Sequence, residues 1–312
     1  MYKRQVTEKY QDKRNDIINV KDKVIEFETG NVLIGSVSRL YMSNKCLLIA
    51  DHKSVDKQIH IFNKNDFSYL TSIGNFGEGP EEITVMGCLA IDEAHHQLYV
   101  SDHAKQKIFS YDMDSVMVDS LYKPQVKTAM NETLFPSEYQ YINDTLSIAV
   151  LIKPTSTSTF NQFLGRWNMN TGEMIPMKYT HPDIQKKRIT FAASEKAGIY
   201  VECYTRHDLM TICSLDGELL YNIYGPDWDG GNGNKLQSFG TVMIGNDKIF
   251  VSYCGEDYAR DSFPTKILVF DLEGNYLKTL ETGYKISDCC YDSFNNRIIL
   301  SLNDVVQFAY LD

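Results

Sequence analysis

A short apolar run of β-forming residues recurs six times along the chain, at a spacing of about fifty residues. Each run ends at a polar or charged residue. The six runs are Leu47–His52, Leu98–His103, Leu146–Lys153, Ile199–His207, Ile249–Asp257 and Ile298–Asp304. A fixed repeat of this length with several strands per unit indicates a radial repeat, above all a β-propeller. This architecture predicts where a site would lie, but it does not identify a substrate.

Each repeat divides into four short strands, a to d from the axis outwards, and the c–d hairpins carry Gly or Asn turns such as Asp216–Glu218. In the second repeat, for example, strand d is expected at Val118–Lys123. The sixth repeat lacks a fourth strand, whereas Val24–Glu28 is a strand without a partner. We therefore predict an all-β, six-bladed propeller of four-stranded antiparallel blades, whose ring is closed by the N-terminal strand completing the last blade. A count of five or seven blades would need a misdivided repeat, most plausibly the third.

The domain organisation that follows is simple. Residues 1–19 are expected to be a solvated tether or a disordered N-terminus, and residues 20–312 a single propeller. No stretch approaches the length of a membrane span, and the polar start Met1–Gln5 does not resemble a signal peptide.

The charge balance excludes two classes of partner. The formal net charge is −10 and the isoelectric point is about 5.2, with no basic stripe. Such a chain is a poor candidate for binding nucleic acid or an anionic membrane. The charge is compatible with sugars, peptides and cations.

The seven cysteines show no zinc-binding spacing. Several lie inside apolar runs, where Cys acts as a small buried hydrophobe. We expect buried free thiols, which suit a reducing compartment but are also compatible with export.

Candidate site residues concentrate on one predicted face, because the b–c turns and the d-to-a links emerge together in a propeller blade. The candidates are Asp51, His52, Glu78, Asp102, His103, Arg206, His207, Asp227, Trp228 and Asp257. Three of these, His52, His103 and His207, occupy equivalent repeat positions and are the candidate metal ligands. Imidazoles suit Zn²⁺ and carboxylates suit Ca²⁺. The alternative is that Asp51 and Asp102 cap the b–c turns through backbone hydrogen bonds.

Two loops on this face allow different interpretations. Gly74–Glu82 is glycine-rich but lacks the Lys and Ser/Thr of a phosphate-binding loop, which favours a structural turn. Tyr224–Asn234 carries Trp228, which either stacks on a sugar or peptide or packs back on blade four. On the opposite face, the pair His95-His96 is expected to be solvated.

The loop Gly74–Glu82 and the ending Leu98–Asp102, followed by Lys107–Asp112, resemble motifs of the TolB-like six-bladed propellers of Bacteroidetes, relatives of NHL-repeat propellers. The resemblance extends over nearly the whole chain at repeat level, although Glu81 stands where relatives often have Gly. It implies the fold. Members mostly have no assigned activity and many are exported lipoproteins, so the resemblance implies a periplasmic or lipid-anchored location. Some relatives are His-metal lyases or Ca²⁺ lactonases.

The function expected from the sequence is non-enzymatic: a ligand-binding or protein-interaction propeller that needs no cofactor and uses the face of b–c turns and inter-blade loops. Its partner would be a small molecule, a glycan, a peptide or another protein. The alternative is a metal-dependent lyase or lactonase-like hydrolase at the channel mouth, with a divalent metal as cofactor. No complete catalytic set appears in the sequence, which favours the first hypothesis.

Overall fold

The computed structural model describes residues 7–231 and 235–312. Its strands form six blades of four antiparallel strands, and two of the blades gain a fifth strand at the outer edge. The predicted all-β, six-bladed propeller is therefore confirmed. Within the described residues, helical structure is limited to α1 at Met113–Val116 and two short 3₁₀ turns at Lys21–Lys23 and Tyr258–Arg260. None of these helices is long and apolar enough to span a bilayer.

Three short strands precede the first blade. They are β1 at Glu8–Tyr10, β2 at Ile17–Asn19 and β3 at Ile25–Glu26.

The chain divides into two compact units, and Phe27–Pro176 is the unit that carries blades one to three. Blade one contains β4 to β7 at Ser38–Met42, Cys46–Asp51, Lys57–Asn63 and Tyr69–Asn75. Blade two contains β8 to β11 at Met86–Asp92, Gln97–Asp102, Lys107–Asp112 and Gln125–Ala129. Blade three contains β12 to β15 at Phe135–Asn143, Leu146–Pro154, Phe160–Trp167 and Met174–Pro176.

The other unit joins the N-terminal residues up to Glu26 with Met177–Asp312 and carries blades four to six. Blade four contains β16 to β19 at Ile189–Ser194, Ile199–Tyr204, Leu209–Ser214 and Leu219–Tyr224. Blade five contains β20 to β23 at Leu236–Gly245, Lys248–Asp257, Lys266–Asp271 and Tyr276–Glu281. Blade six contains β24 to β26 at Ile286–Asp292, Arg297–Leu302 and Phe308–Leu311.

Blade six takes its fourth strand from the N-terminal segment, as the sequence predicts. Strand β3 pairs antiparallel with β26, and Ile25 lies opposite Tyr310. The pairing covers the outer edge of β26, which would otherwise present unpaired backbone groups.

Apolar cores within each unit lie between consecutive blades. Leu48 and Ile59 of blade one pack with Val100 and Phe109 of blade two, and similar clusters join blades two and three, four and five, and five and six. A strand b inside a blade is therefore covered on both faces, and β5 is buried along its whole length. This explains why strand b is a continuous apolar run and not an alternating pattern.

The fourth strand of blade two differs from the prediction. It lies at Gln125–Ala129, and Val118–Lys123 belongs to the connection before it. The carboxylate of Asp112 accepts a hydrogen bond from the backbone N–H of Ser115 at 2.7 Å and thereby starts helix α1. This helical turn displaces strand d towards the C-terminus and leaves Val118 and Leu121 exposed.

The N-terminal segment also differs from the expectation of a tether. Within the described residues 7–19, β1 pairs parallel with β19 of blade four and β2 pairs parallel with β23 of blade five. Tyr10 stacks on Tyr224 with ring centroids 4.6 Å apart. Strands of only three residues are too short to show a periodic pattern in the sequence, and most of their stability comes from the edge that they join.

Arg14, between these two added strands, anchors the segment. Its Nη1 lies 2.8 Å from Oδ1 of Asp208, and both side chains are buried, with exposed fractions of 7% and 0%. The guanidinium group lies 5.4 Å from the ring centroid of Tyr253 and 5.8 Å from that of Phe270. Burial raises the pKa of Asp208, and Arg14 opposes this rise.

All seven cysteines are buried free thiols, as the sequence predicts. The vicinal pair Cys289 and Cys290 is among them, and burial raises the pKa of both thiols.

We expect Arg14→Ala to lower the free energy of unfolding by about 3 kcal/mol, because it leaves the buried Asp208 carboxylate without its cation. Urea denaturation measures the change. Lys13→Ala is the matched control, because the neighbouring Lys13 is exposed and should leave the midpoint unchanged. Equal midpoints for the two variants would contradict a docked N-terminal segment.

Candidate functional site

The carboxylates that end strand b in blades one and two are bound to the backbone. Asp51 accepts hydrogen bonds from the N–H groups of Gly35 at 2.7 Å and Lys53 at 2.9 Å. Asp102 accepts four, from Thr84, Val85, Ala104 and Lys105. Both side chains are buried. The two acids therefore have the capping role that the sequence analysis also considers, and each ties its b–c turn to the loop that enters the blade.

The next residue in each of these turns is a histidine with a buried, unpaired nitrogen. The Nδ1 of His52 lies 3.3 Å from the carbonyl oxygen of Met86, which makes Nδ1 the protonated nitrogen. Nε2 of His52 and Nε2 of His103 have no hydrogen-bond partner among the described residues. Since buried polar atoms are nearly always hydrogen-bonded, each of these two nitrogens can accept a hydrogen bond from a buried water.

Both imidazoles are poor bases at this position. Burial lowers the pKa of His52, and the positive charge of Arg39 lowers it further. Burial also lowers the pKa of His103, and the Asp102 carboxylate only partly opposes this effect. Both side chains are therefore neutral at pH 7 and can act as hydrogen-bond acceptors.

The strands that line the axis bring further polar groups near this pair. Arg39 on β4 forms an ion pair with Glu138 on β12, with Nη2 and Oε1 2.7 Å apart, and both are partly exposed. On β8 between them, a Cβ atom at Gly87 would lie 2.4 Å from Nε2 of His103. A glycine is therefore needed here for the His103 ring to lie over the strand. The sequence analysis missed Arg39, Glu138 and Gly87, because strand a carries no repeat-equivalent polar signal.

The glycine-rich loop is a closed structural turn. The carboxylate of Glu82 accepts a hydrogen bond from the N–H of Gly79 at 2.8 Å. Lys105 donates to the carbonyl oxygens of Gly79 and Glu82 from the b–c turn of blade two. The candidate Glu78 lies exposed on this loop. The polar groups on the inside of this loop are thus hydrogen-bonded within the protein itself.

Blade four brings a different group of candidates together. His207 is buried, and its Nδ1 lies 3.6 Å from Oδ1 of Asp229. Trp228 is half-buried and packs on blade four, with ring centroids 5.0 Å from Tyr224 and 5.9 Å from His207. Burial lowers the pKa of His207. Arg206 extends away, and its guanidinium lies 4.2 Å from the ring centroid of Tyr258.

The acids of this unit have separate local partners. Asp227 is exposed and accepts a hydrogen bond from Tyr253 at 3.3 Å. Asp257 caps the following 3₁₀ turn by accepting the N–H of Ala259. The sequence analysis missed Asp208, which binds the N–H of Asp227 and the side chain of Arg14. The inverted order His207-Asp208, against Asp102-His103 in blade two, was the signal that could have found it.

The structure does not add a third metal ligand to His52 and His103 within the described residues of blades one to three. In these blades the one grouping of three ligand atoms within 4.8 Å of one another is Asp92, His95 and Asp144, on the a–b turns. The proposal that His52, His103 and His207 share a metal stays a prediction.

Comparisons with known proteins agree with the fold. A family model described as a six-bladed β-propeller, DUF5128, matches residues 4–162. A search of curated proteins found no match. The TolB-like and Bacteroidetes assignments stay predictions from the sequence.

Three solved structures show the range of similar propellers. A member of the DUF4221 family from Bacteroides vulgatus is 11% identical with a TM-score of 0.61, and the alignment covers 96% of this chain and 98% of that one. A protein from Bacteroides fragilis is 13% identical with a TM-score of 0.60, covering 94% and 87%. A luciferin-regenerating enzyme is 8% identical with a TM-score of 0.60, covering 92% and 93%. At these identities the likeness shows the fold alone.

The histidines should titrate in a defined order. We expect NMR midpoints below the usual value of about 6.5 for His52 and His103, and above it for His95, whose pKa is raised by its bond to Asp92. The folded protein binds protons at His52 and His103 less tightly than the unfolded chain does. Their contribution to stability is therefore present above pH 6.5 and is lost as the pH falls below it. Assignment uses His52→Gln and His103→Gln, and a midpoint for either residue above that of His95 would contradict the buried placement.

Proposed function

The chain belongs to the DUF5128 family of six-bladed β-propellers, and we propose that it is a non-enzymatic binding propeller whose partner is an apolar peptide segment of another protein. The binding surface is the b–c face of blades one and two. We define it by the turns 52–56 and 103–106 and by the loops 28–37 and 76–85 that lead into the two blades.

The observation that carries the proposal is a set of exposed apolar side chains on this face. We call the set the apolar rim, and it consists of Leu33, Val37, Val55, Phe76 and Val85. Leu33 is 94% exposed and Val55 is 82% exposed. Exposed apolar groups that cluster on one face are a mark of protein interaction sites.

Backbone hydrogen bonds join the loops of the apolar rim to the turns that carry the histidines. The N–H of His52 donates to the carbonyl oxygen of Val37, and the N–H of His103 donates to that of Val85. The N–H of Phe76 donates to the carbonyl oxygen of Asp56, next to Val55. The rim and the two imidazoles therefore belong to one hydrogen-bonded framework. This framework holds the loops of the rim in place before a partner binds, so less conformational entropy is lost on binding.

The polar groups of this face are paired within the protein or buried, an arrangement that does not suit catalysis. The carboxylates of Asp51 and Asp102 accept backbone N–H groups, so neither is free to act as a base. His52 and His103 are neutral, and their unpaired Nε2 atoms are buried. The ion pair of Arg39 and Glu138 adds no net charge. The groups that this face offers to a partner are therefore the apolar side chains of the rim.

The test is selection from a phage-displayed library of random peptides on the immobilised protein. We expect peptides rich in apolar residues to be enriched, and their affinity to fall about tenfold in the double variant Val55→Ser and Phe76→Ser, a loss of about 1.4 kcal/mol. Fluorescence anisotropy measures the affinities.

The matched control is Val118→Ser with Leu121→Ser, which removes two exposed apolar side chains from the c–d connection of blade two. This variant should bind the selected peptides as the parent does. Equal losses in both double variants, or a library without enrichment, would contradict the proposal. Cleavage or modification of a bound peptide, detected by mass spectrometry, would favour an enzyme instead.

A further inference from the structure

We propose that the a–b turns of blades two and three form a Zn²⁺ site made by Asp92, His95 and Asp144. Asp92 ends β8, His95 lies in the turn that follows, and Asp144 lies in the corresponding turn of blade three. One ligand atom from each residue lies within 4.8 Å of the other two. This site is on the opposite ends of the strands from the proposed peptide surface and does not depend on it.

The donor atoms already have separations close to those of a zinc site. Nδ1 of His95 lies 2.9 Å from Oδ2 of Asp92 and 3.8 Å from Oδ1 of Asp144. Zn²⁺ binds imidazole nitrogen and carboxylate oxygen at about 2.0–2.2 Å, so neighbouring ligands of a tetrahedral ion lie about 3.4 Å apart. Small side-chain movements would place all three donors around one ion, and the solvent-exposed side would supply the remaining ligand.

Blade six shows that the turn itself does not need an imidazole. At the equivalent position, Asn295 donates from Nδ2 to Oδ2 of Asp292 at 2.6 Å and closes the same turn. Histidine in blade two therefore adds a nitrogen donor that the local fold does not require.

The charge of the turn also differs between the two blades. In blade six, Nε of Arg297 lies 3.5 Å from Oδ2 of Asp292 and compensates the buried carboxylate. The residue in the same register of blade two is Gln97, opposite Asp92, which brings no charge. Asp92 is buried and Asp144 adds a second negative charge beside it. In blade two the imidazole of His95, between the two carboxylates, is the compensating group, and a Zn²⁺ ion would take the place of its Nδ1 proton.

Outer groups hold the ligands in place. The hydroxyl of Tyr99 donates to Oδ2 of Asp92 at 3.2 Å, and that of Tyr141 donates to Oδ1 of Asp144 at 2.7 Å. Such partners orient metal-binding carboxylates.

The nitrogen donor favours Zn²⁺ over Mg²⁺ and Ca²⁺, which prefer oxygen alone. The nearby charge of Lys127 acts on His95 and opposes a cation, so the affinity should be moderate.

The test is isothermal titration of the untagged, chelator-treated protein with Zn²⁺ at pH 7.5. We expect one equivalent to bind, and His95→Asn to weaken binding by about tenfold or more. Asn is chosen because it preserves the turn, as Asn295 does in blade six. Lys127→Ala should tighten binding, because it removes a repelling charge.

Two controls make the result specific. His96→Ala removes an equally exposed neighbouring imidazole that pairs with Asp114 at 2.6 Å, and it should bind Zn²⁺ as the parent does. Asp144→Asn should lose affinity, because it removes the donor from blade three. The inference is overturned if the parent shows no saturable one-to-one binding, if His95→Asn binds as tightly as the parent, or if His96→Ala loses as much affinity as His95→Asn.

Discussion

The buried carboxylate of Asp102 holds the b–c end of blade two together, and Asp51 does the same for blade one. Asp102 is fully buried and accepts four backbone N–H groups from two chain segments that are distant in sequence. A carboxylate is removed from water at low cost only when its oxygens are this well satisfied. The consequence is a rigid junction between the b–c turn and the entering loop. These carboxylates therefore have a structural role and do not bind a ligand. They fix the position of the histidine that follows each acid and of the apolar side chains on the entering loop.

The N-terminal segment depends on the same kind of buried charge. Asp208 receives Arg14 from a segment about two hundred residues away in sequence, and the strands on either side of Arg14 extend blades four and five in parallel. A parallel strand of three residues contributes little by itself. The buried ion pair and the stack of Tyr10 on Tyr224 are what make the two short additions stable together, and they cover two outer edges that would otherwise be open to other chains.

The architecture could be predicted from the sequence because strand b is buried on both faces and its apolar run repeats with every blade. The closing strand could also be predicted, because the sequence has an unpaired strand before the first repeat and lacks the fourth strand of the last repeat. The partners of Arg14 and Arg39 could not. Arg14 reaches from the N-terminal segment to a carboxylate of blade four, and Arg39 reaches from blade one to a carboxylate of blade three. A single sequence carries no local signal for a contact of that range. Trp228 illustrates the same limit. The indole ring and its glycine-rich loop suit stacking on a ligand, but its contacts with Tyr224 and His207 belong to the packing of blade four.

The two ends of blades one to three differ in how their acids are paired, and this difference argues for two different ligands. At the b–c end of blades one and two, Asp51 and Asp102 are paired with backbone amides, the histidines are neutral, and the exposed surface includes the apolar rim. At the a–b end, the pKa of His95 is raised by Asp92 and Asp144, and the carboxylates meet each other across two turns. An apolar segment gains most from burying the exposed side chains of the apolar rim, whereas a cation gains most between two neighbouring carboxylates. A metal at the a–b turns would stiffen the junction of blades two and three without altering the charge of the peptide surface, so the two sites can be tested independently.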